Sequence, residues 1–523
     1  MVNSLPVVTL ASLAAVCVNS PPYTLTGGNP TGGTYSGPGV SGGSTFTPSV
    51  AGAGTHTITY TYTDANSCTN SATGTLTVFP LTSVNLAPLA AVCVNVTPFP
   101  LTGGSPPGGT YSGPGVTTGI FNPAAAGAGI HTIIYSFTDA NGCTNSDSEP
   151  QTVNPLPGAA GTITGSAAVC QAAVNVPYST TPITNATSYN WSVAPPAAGS
   201  VTGSGASVTV TWAALYTGTA QITVRGVNNC GEGTVSAPFD VLVRPNPSVT
   251  FTRCFDSVTI ATAKPIVLKG GIPLGGTYSG TGISGGIFYP ALAGLGVRTI
   301  TYSFTNMDGC TKTATTTITV QNPGLWNCGS SLTDRRDGKQ YPTVLLGSQC
   351  WMAANLNYGT RISGSMSQRD NCINEKYCFN DDPARCTQGS VQYQWDELMA
   401  YGTAEGAQGL CPPGWHIPSE PEWIALFNNY INNGFAASAL KVTGYSGFNA
   451  LLSGFQVNNT AWVYGPTHSV LRSTIFWSST LHGTGKAWAH GMNQVVADPE
   501  YTPSASFYPS NRNNAFSVRC LKD

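Results

Sequence analysis

Cysteine is the residue type whose spacing in this 523-residue chain most directly suggests chemistry. The first eight of the fifteen cysteines form one pair in each of four successive segments: Cys17 with Cys68, Cys93 with Cys143, Cys170 with Cys230, and Cys254 with Cys310. A pair in every segment predicts one disulfide per segment, and closing a loop of ~50 residues stabilises by roughly 4 kcal/mol. Zinc is the alternative, but no CxxC motif or nearby histidine completes a site, so we expect no metal. Disulfides would place the chain outside the cytoplasm.

Acidic and histidine side chains offer weaker candidates for chemistry. His416 stands alone, without an activated Ser or Cys, so a core histidine is the favoured interpretation. Carboxylates in two short stretches could hold calcium, although a solvated loop beside a helix start is favoured: Asp381, Asp382, Asp396 and Glu397. The Asp/Asn turns at 64–67, 139–142 and 306–309 carry too few carboxylates for a calcium cage and predict plain hairpin turns. We therefore expect no enzyme and no cofactor.

The stretch 456–515 is the most plausible binding surface. Aromatic and small polar residues alternate there, a composition that suits contact with a sugar or a protein. The candidate ligand-binding residues are Trp462, Tyr464, His468, Trp488, His490, Asp498, Glu500 and Tyr501. A well-ordered loop region without a ligand remains the alternative.

Composition restricts which elements can position these residues. Charged residues make up 8% of the chain and the net charge is −2, which argues against a nucleic-acid partner. Hydrophobic residues reach 41%, enough for folded cores, and no apolar run is long enough for a transmembrane segment. The 61 Gly and 38 Pro are spread along the chain and exclude long helices. The chain is therefore expected to be mainly β.

Internal repeats organise the first 322 residues. T-Y-S-G-P-G-V occurs at 34–40 and 110–116, and T-Y-S-G-T-G-I follows at 277–283. Downstream of each copy, apolar and Thr residues alternate, as in Ile58, Tyr60 and Tyr62, which predicts a strand with one buried face. The units at 1–80, 81–154, 155–245 and 246–322 resemble the Ig-like and PKD-like repeats of Bacteroidetes surface proteins. The resemblance implies tandem β-sandwiches.

The start of the chain resembles a signal peptide with a lipobox at 13–17, L-A-A-V-C. The same five residues recur at 89–93, so we interpret them as the first strand of a repeat. On this interpretation no targeting segment is present. The Pro-containing linker sequence at the start predicts a segment of a longer protein.

The composition and the sequence motifs change near residue 323. Six motifs occur in order: W-M-A-A-N-L from Trp351, E-K-Y-C-F-N-D-D, Y-Q-W-D-E-L, C-P-P-G-W-H, F-W-S-S-T and F-S-V-R-C. They resemble the major paralogous domain family first named from Fibrobacter, although Ala354 replaces the usual Glu of W-M-A-E-N-L. The resemblance implies an α+β C-type-lectin-like domain over 323–523. It also implies the disulfides Cys411–Cys520, Cys378–Cys386 and Cys328–Cys350, with Cys372 left over and expected to be free and shielded.

These features predict a secreted or cell-surface adhesin. An Ig-like stalk would present the C-terminal domain, which would bind a glycan or a surface protein. The alternative is a structural subunit of an extracellular filament. Residues 1–244 carry eight charged side chains and no Lys, so little repulsion would oppose a homo-polymer.

Overall fold

The computed structural model describes residues 3–431, 436–442, 444–463, 465, 471–495 and 505–523. These residues form two compact units, Met1–Arg244 and Pro245–Asp523. Strands dominate both units, which confirms the mainly-β prediction. None of the described helices is long and apolar enough to cross a membrane.

The first repeat is a small sandwich. Its strands are Thr9–Leu10, Val16–Cys17, Tyr23–Thr24, Gly28–Asn29, Thr34–Ser36, Val40–Ser41, Thr45–Phe46, Gly54–Thr63 and Thr69–Phe79, and its one short helix is Pro48–Ala51. The two long strands form a hairpin at the centre of a four-stranded sheet. Val16–Cys17 lies on one edge, parallel to the end of Thr69–Phe79, and Thr34–Ser36 lies on the other.

The core of this repeat follows the predicted alternation. Ile58 and Tyr60 are buried, whereas Thr57 and Thr59 between and beside them are not. The Tyr60 hydroxyl accepts a hydrogen bond from Gly33 N at 2.7 Å and donates one to Pro30 O at 2.5 Å. Both hydrogen bonds hold the preceding loop against the sheet.

The second repeat has the same plan. Its strands are Asn85–Leu86, Val92–Cys93, Phe99–Pro100, Gly104–Ser105, Thr110–Ser112, Val116–Thr117, Ile120–Phe121, Gly129–Thr138 and Thr144–Asn154, and its helix is Pro123–Ala126. Tyr135 takes the role of Tyr60, with Gly109 N donating to its hydroxyl at 2.7 Å. A Cβ on Gly104 would lie 2.5 Å from the Tyr135 ring, so this close approach requires glycine.

The third repeat is built from two larger sheets. Its strands are Thr164–Gly165, Ala168–Cys170, Val176–Ser179, Ser188–Ala194, Gly199–Thr202, Ser207–Trp212, Gly218–Asn228, Gly231–Glu232 and Phe239–Arg244, with a 3-10 turn at Pro196–Ala198. Trp212 is fully buried between the sheets and contacts Tyr178 edge-to-face. Trp191 is also buried, with its indole N–H donating to Gly205 O at 3.0 Å.

The second unit begins with the fourth repeat, which returns to the plan of the first. Its strands are Thr250–Phe251, Val258–Ile260, Ile266–Val267, Gly271–Ile272, Thr277–Ser279, Ile283–Ser284, Ile287–Phe288, Gly296–Thr305 and Thr311–Gln321, and its helix is Pro290–Ala293. The sheets of all four repeats lie inside the predicted ranges, whose boundaries stay a prediction.

The C-terminal domain is α+β in content. Its strands are Leu332–Thr333, Gln340–Tyr341, Thr343–Leu346, Gln349–Met352, Thr360–Arg361, Glu375–Cys378, Val391–Gln394, Trp415–His416, Phe455–Val457, Ala461–Val463, Leu471–Leu481, Lys486–Val495, Ala505–Asn511, Ala515–Phe516 and Leu521–Lys522. Its helices are Phe379–Asp381 (3-10), Pro383–Thr387, Trp395–Leu398, Glu420–Ile431 and Ala436–Leu440. The longest helix begins with a capping box, in which Ser419 N donates to the Glu422 carboxylate at 2.7 Å. The C-type-lectin-like topology stays a prediction.

The disulfides of the repeats differ from the prediction of one per segment. Cys17 bonds to Cys143 and Cys93 bonds to Cys230, with Cα–Cα distances of 5.5 and 5.4 Å. Each bond thus joins a repeat to the next one along the chain. The predicted pairs Cys17–Cys68, Cys93–Cys143, Cys170–Cys230 and Cys254–Cys310 are wrong, although Cys170 and Cys310 are disulfide-bonded.

Strand geometry explains this correction. Cys17 pairs in register with Phe79, at the end of the last strand, whereas Cys68 immediately precedes Thr69, at the start of that strand. Eleven residues at ~3.3 Å each separate the two ends by about 35 Å. A disulfide needs Cα atoms within about 7 Å, so the two cysteines of one repeat cannot meet.

In the second unit, the three disulfides implied by the resemblance are confirmed: Cys328–Cys350, Cys378–Cys386 and Cys411–Cys520. The expectation of a free Cys372 is wrong, because Cys372 bonds to Cys254 of the fourth repeat. Among the described residues, Cys68 is the free cysteine.

Candidate functional site

The predicted ligand-binding residues do not form one site among the described residues. Tyr464, His468, Asp498, Glu500 and Tyr501 lie outside the described residues. Trp462 is half-buried and packs edge-to-face on Phe379, with ring centroids 5.3 Å apart. Trp488 is half-buried on a different sheet and contacts His482, with centroids 4.8 Å apart.

His490 lies in the core, with 0% of the residue exposed. Its imidazole stacks on Trp423 at 4.9 Å, and its Nε2 lies 2.8 Å from Glu420 Oε2. Burial lowers the pKa of His490, although Glu420 opposes that shift. The prediction places His490 on a binding surface, whereas the structure buries its side chain. The alternation of residues along the Lys486–Val495 strand does not show which of its two faces the rest of the domain packs against, so the sequence alone does not reveal this burial.

A cleft of about 680 Å³ was not anticipated from the sequence. Apolar and charged side chains from the fourth repeat and the C-terminal domain meet there, including Ile260, Leu325, Trp326, Arg335, Pro412 and Lys522. Leu325 is fully exposed, and Trp326 packs edge-to-face on the buried Trp415 at 5.4 Å. Arg335 is held in place by donating to Gln321 Oε1 at 2.7 Å and Asn322 O at 2.9 Å. The cleft thus combines apolar side chains, one aromatic wall and the charged Arg335, Lys522 and Asp523, and its volume lies within the range of ligand sites.

His416 lies beside this cleft and bridges two carboxylates. Its Nδ1 is 2.7 Å from Asp523 Oδ1, and its Nε2 is 3.0 Å from Glu422 Oε1. Burial lowers the pKa of His416, but hydrogen bonds to Asp523 and Glu422 outweigh burial and the net shift is upward. The pKa of Glu422 falls to about 2, because His416 and Ser419 together overcome the effect of burial. Asp523 also lies 3.5 Å from Lys264 of the fourth repeat, so the cluster holds the two domains of this unit together.

Glu397 does not lie in a solvated loop, as the sequence predicted, but is buried. It is 3% exposed, and burial together with Glu375 and Asp370 raises its pKa to about 7, although hydrogen bonds from Glu375 N and Tyr401 lower it. Asp382 caps the helix Pro383–Thr387 by accepting from Ala384 N at 2.9 Å. These carboxylates have structural partners, and no group of three or more His, Cys, Asp or Glu side chains among the described residues is arranged to hold a metal ion.

The hairpin turns of the repeats form a second kind of site. Asp64 Oδ1 accepts from Asn66 N and Cys68 N at 2.8 and 2.9 Å, which confirms the predicted turn. Asp139 Oδ1 makes the same two hydrogen bonds to Asn141 N and Cys143 N, both at 2.9 Å. Both turns therefore present their cysteine in the same backbone setting.

Each junction in the first unit uses a Cys-x-Asn sequence. Beside the Cys17–Cys143 bond, Asn19 Nδ2 donates to Thr144 O at 3.0 Å. Beside the Cys93–Cys230 bond, Asn95 Nδ2 donates to Cys230 O at 3.2 Å. A covalent bond and an amide hydrogen bond thus dock the end of one repeat onto the hairpin of the next.

The junction within the second unit is more polar. Cys254 bonds to Cys372, and Asp256, two residues later, receives hydrogen bonds from Arg336 Nη1 and the Tyr358 hydroxyl, each at 3.2 Å. Arg336 stacks on the Tyr358 ring at 3.8 Å. Burial opposes ionisation of Arg336, but Asp256 and Asp334 raise its pKa.

Comparison with known families bears on two parts of the chain. Residues 344–522 match the model of the Fibrobacter succinogenes major domain, and residues 156–241 match a PKD-like domain. Both resemblances inferred from sequence motifs are confirmed over these ranges. No curated protein sequence matches the chain.

Several solved structures show distant likeness. An ice-binding, Ca²⁺-stabilised adhesin of an Antarctic bacterium aligns at 16% identity and TM-score 0.24, covering 61% of this chain and 100% of the other. The insect immune protein hemolin aligns at 13% and 0.18, covering 61% and 100%. The glucan-utilisation protein SGBP-B of Bacteroides ovatus, in complex with a heptasaccharide, aligns at 17% and 0.12, covering 49% and 70%. At these TM-scores the likenesses carry no argument about function.

Proposed function

We propose that this protein is an extracellular adhesin in which Ig-like repeats carry a C-terminal domain that binds a glycan or a surface protein. The observation that carries the proposal is the cleft around Trp326, which combines an exposed apolar rim with an aromatic wall and the charged Arg335, Lys522 and Asp523. Its volume of about 680 Å³ falls within the usual range for ligand sites. The extracellular location is supported by disulfides in both units, since such bonds persist in oxidising compartments.

Substitution of Trp326 tests the binding role. Trp326→Ala should weaken binding to a glycan or matrix-protein array hit by at least tenfold, because an aromatic anchor at a binding centre typically contributes ~2 kcal/mol or more. Trp488→Ala is the matched control, since Trp488 is also half-buried but lies on the strand Lys486–Val495, whereas Trp326 lies in the connection between Gln321 and Leu332. If Trp488→Ala weakened binding and Trp326→Ala did not, the binding site would lie on the predicted surface at 456–515. A blank array for the folded wild-type chain would count against the adhesin.

A filament subunit is the second candidate. The disulfide-bonded junctions within the first unit favour it, because they would resist pulling along the chain. The edges of the first repeat's main sheet are short, at two residues in Val16–Cys17 and three in Thr34–Ser36. Short edges disfavour side-by-side pairing of sheets, so any assembly would be expected end to end. Light scattering and electron microscopy over a concentration series would distinguish a filament from a monomer.

A further inference from the structure

We propose that the Cys68 hairpin is a covalent docking site for a further Ig-like repeat of the same Cys-x-Asn type. Cys68 occupies the position that Cys143 and Cys230 occupy in the next two repeats. Both of those hairpin cysteines are bonded to the first-strand cysteine of the repeat before them. The inference does not depend on what the C-terminal domain binds.

The sequence of the first hairpin matches that of an occupied one. Residues 63–71 read T-D-A-N-S-C-T-N-S and residues 138–146 read T-D-A-N-G-C-T-N-S. The segment that leads into each repeat makes the same hydrogen bond to its hairpin strand. Asn70 Nδ2 donates to Pro6 O at 2.8 Å in the first repeat, and Asn145 Nδ2 donates to Thr82 O at 2.9 Å in the second. The local framework that receives Cys17 at the second repeat is thus already formed at the first.

The thiol of the first hairpin is free and accessible. Cys68 is partly exposed and unbonded, whereas Cys143 is 1% exposed beneath the repeat to which it is bonded, and the bonded Cys230 is partly exposed. By analogy with Asn19 and Thr144, Thr69 O would accept the amide of the incoming Cys-x-Asn sequence. The recognised group is therefore a thiol followed two residues later by a side-chain amide donor.

The partner must come from a repeat whose first-strand thiol is unpaired. Cys17, Cys93, Cys170 and Cys254 are all disulfide-bonded, so no first-strand cysteine of this sequence is free to react. Formation of the new bond removes one hydrogen from Cys68 and one from the incoming thiol. Oxidised glutathione takes up the two electrons and two protons and leaves as two molecules of glutathione.

The test extends the chain by one repeat. A second copy of residues 5–80 is placed directly before Leu5, so that Pro80 of the copy meets Leu5 as Pro80 meets Leu81 in the natural chain. After oxidation with glutathione, peptide mapping should find the added copy's first cysteine bonded to Cys68, and alkylation should label the added copy's own hairpin cysteine. The same extended chain with Cys17→Ser in the added copy is the control, and Cys68 should be alkylated there. A Cys68 thiol that stays free in the first chain, or a bond within the added copy, would overturn the proposal.

A second variant needs no extension. Cys143→Ser releases Cys17, and alkylation should then label both Cys17 and Cys68. Formation of a Cys17–Cys68 bond instead would show that one repeat can close on itself, and the docking rule would fail. A Cys68–Cys68 dimer of the wild-type chain would identify a second copy as the partner and would also contradict the proposal.

Discussion

Replacement of Glu397 by Gln should remove a pH-dependent cost to the stability of the C-terminal domain. The Glu397 carboxyl is buried, with Oε1 accepting from Glu375 N at 2.7 Å and Oε2 lying 3.0 Å from the Tyr401 hydroxyl. Its pKa in the folded protein is about 7, against 4.5 for an unperturbed side chain. Gln keeps the shape and one acceptor but cannot ionise, so it isolates the effect of charge.

The sign follows from proton binding. Between pH 4.5 and 7 the folded state holds the proton while the unfolded state has released it, so wild-type stability falls as pH rises. Above pH 7 the cost is constant. At 1.36 kcal/mol per pKa unit the full cost is about 3 kcal/mol. For a domain of this size that corresponds to a difference in Tm of roughly 10 °C.

Tryptophan fluorescence isolates the relevant transition in the full chain, because eight of the ten Trp lie between Trp326 and Trp488. Melts at pH 5 and pH 8 should show a wild-type Tm that falls more steeply than that of Glu397→Gln. The exposed Glu405 supplies the control, and Glu405→Gln should follow the wild type. Parallel Tm curves for wild type and Glu397→Gln would refute the assignment of a buried, neutral carboxyl.

Three further outcomes are expected. Glu422→Gln should make the free energy of unfolding less dependent on pH in acid, because a carboxyl with a pKa near 2 contributes stability above pH 4.5 that is lost as pH falls toward 2. At pH 7 the substitution should lower the free energy of unfolding, measured by urea unfolding, by about 2 kcal/mol once solvent screening of the partly exposed carboxylate is allowed for. Tyr135→Phe should lower the free energy of unfolding by about 1–3 kcal/mol, because Gly109 N loses its partner, whereas Tyr216→Phe, which removes only a solvent-exposed hydrogen bond to Thr219 O, should change little by calorimetry. Non-reducing peptide mapping should recover Cys17 linked to Cys143; recovery of Cys17 linked to Cys68 would contradict the strand register.

The candidate site shows that side-chain type alone did not predict where a binding surface lies. Aromatic composition directed attention to 456–515, yet Trp462 packs on Phe379 and His490 is enclosed by Trp423 and the rest of the core. The cleft at Trp326 draws its walls from segments more than 250 residues apart, such as Ile260 and Lys522. No local pattern in the sequence marks such a meeting, because it depends on how the fourth repeat and the C-terminal domain pack within one unit.

Local chemistry determined much of the architecture without tertiary information. Alternation around Ile58 predicted a buried strand face, and the Asp/Asn sequence at 64–67 predicted the hairpin turn. Each of these features depends on residues close in sequence, so the residues alone are sufficient.

Disulfide pairing required the tertiary structure. In an array of repeats, each first-strand cysteine lies at a similar separation from the hairpin cysteine of its own repeat and at another similar separation from the hairpin cysteine of the next repeat. Cys17 is therefore compatible with Cys68 and with Cys143 on spacing alone. The parallel register of Val16–Cys17 against the end of Thr69–Phe79 decides between them, because it puts Cys17 at the far end of the sheet from Cys68 and beside the next repeat's hairpin.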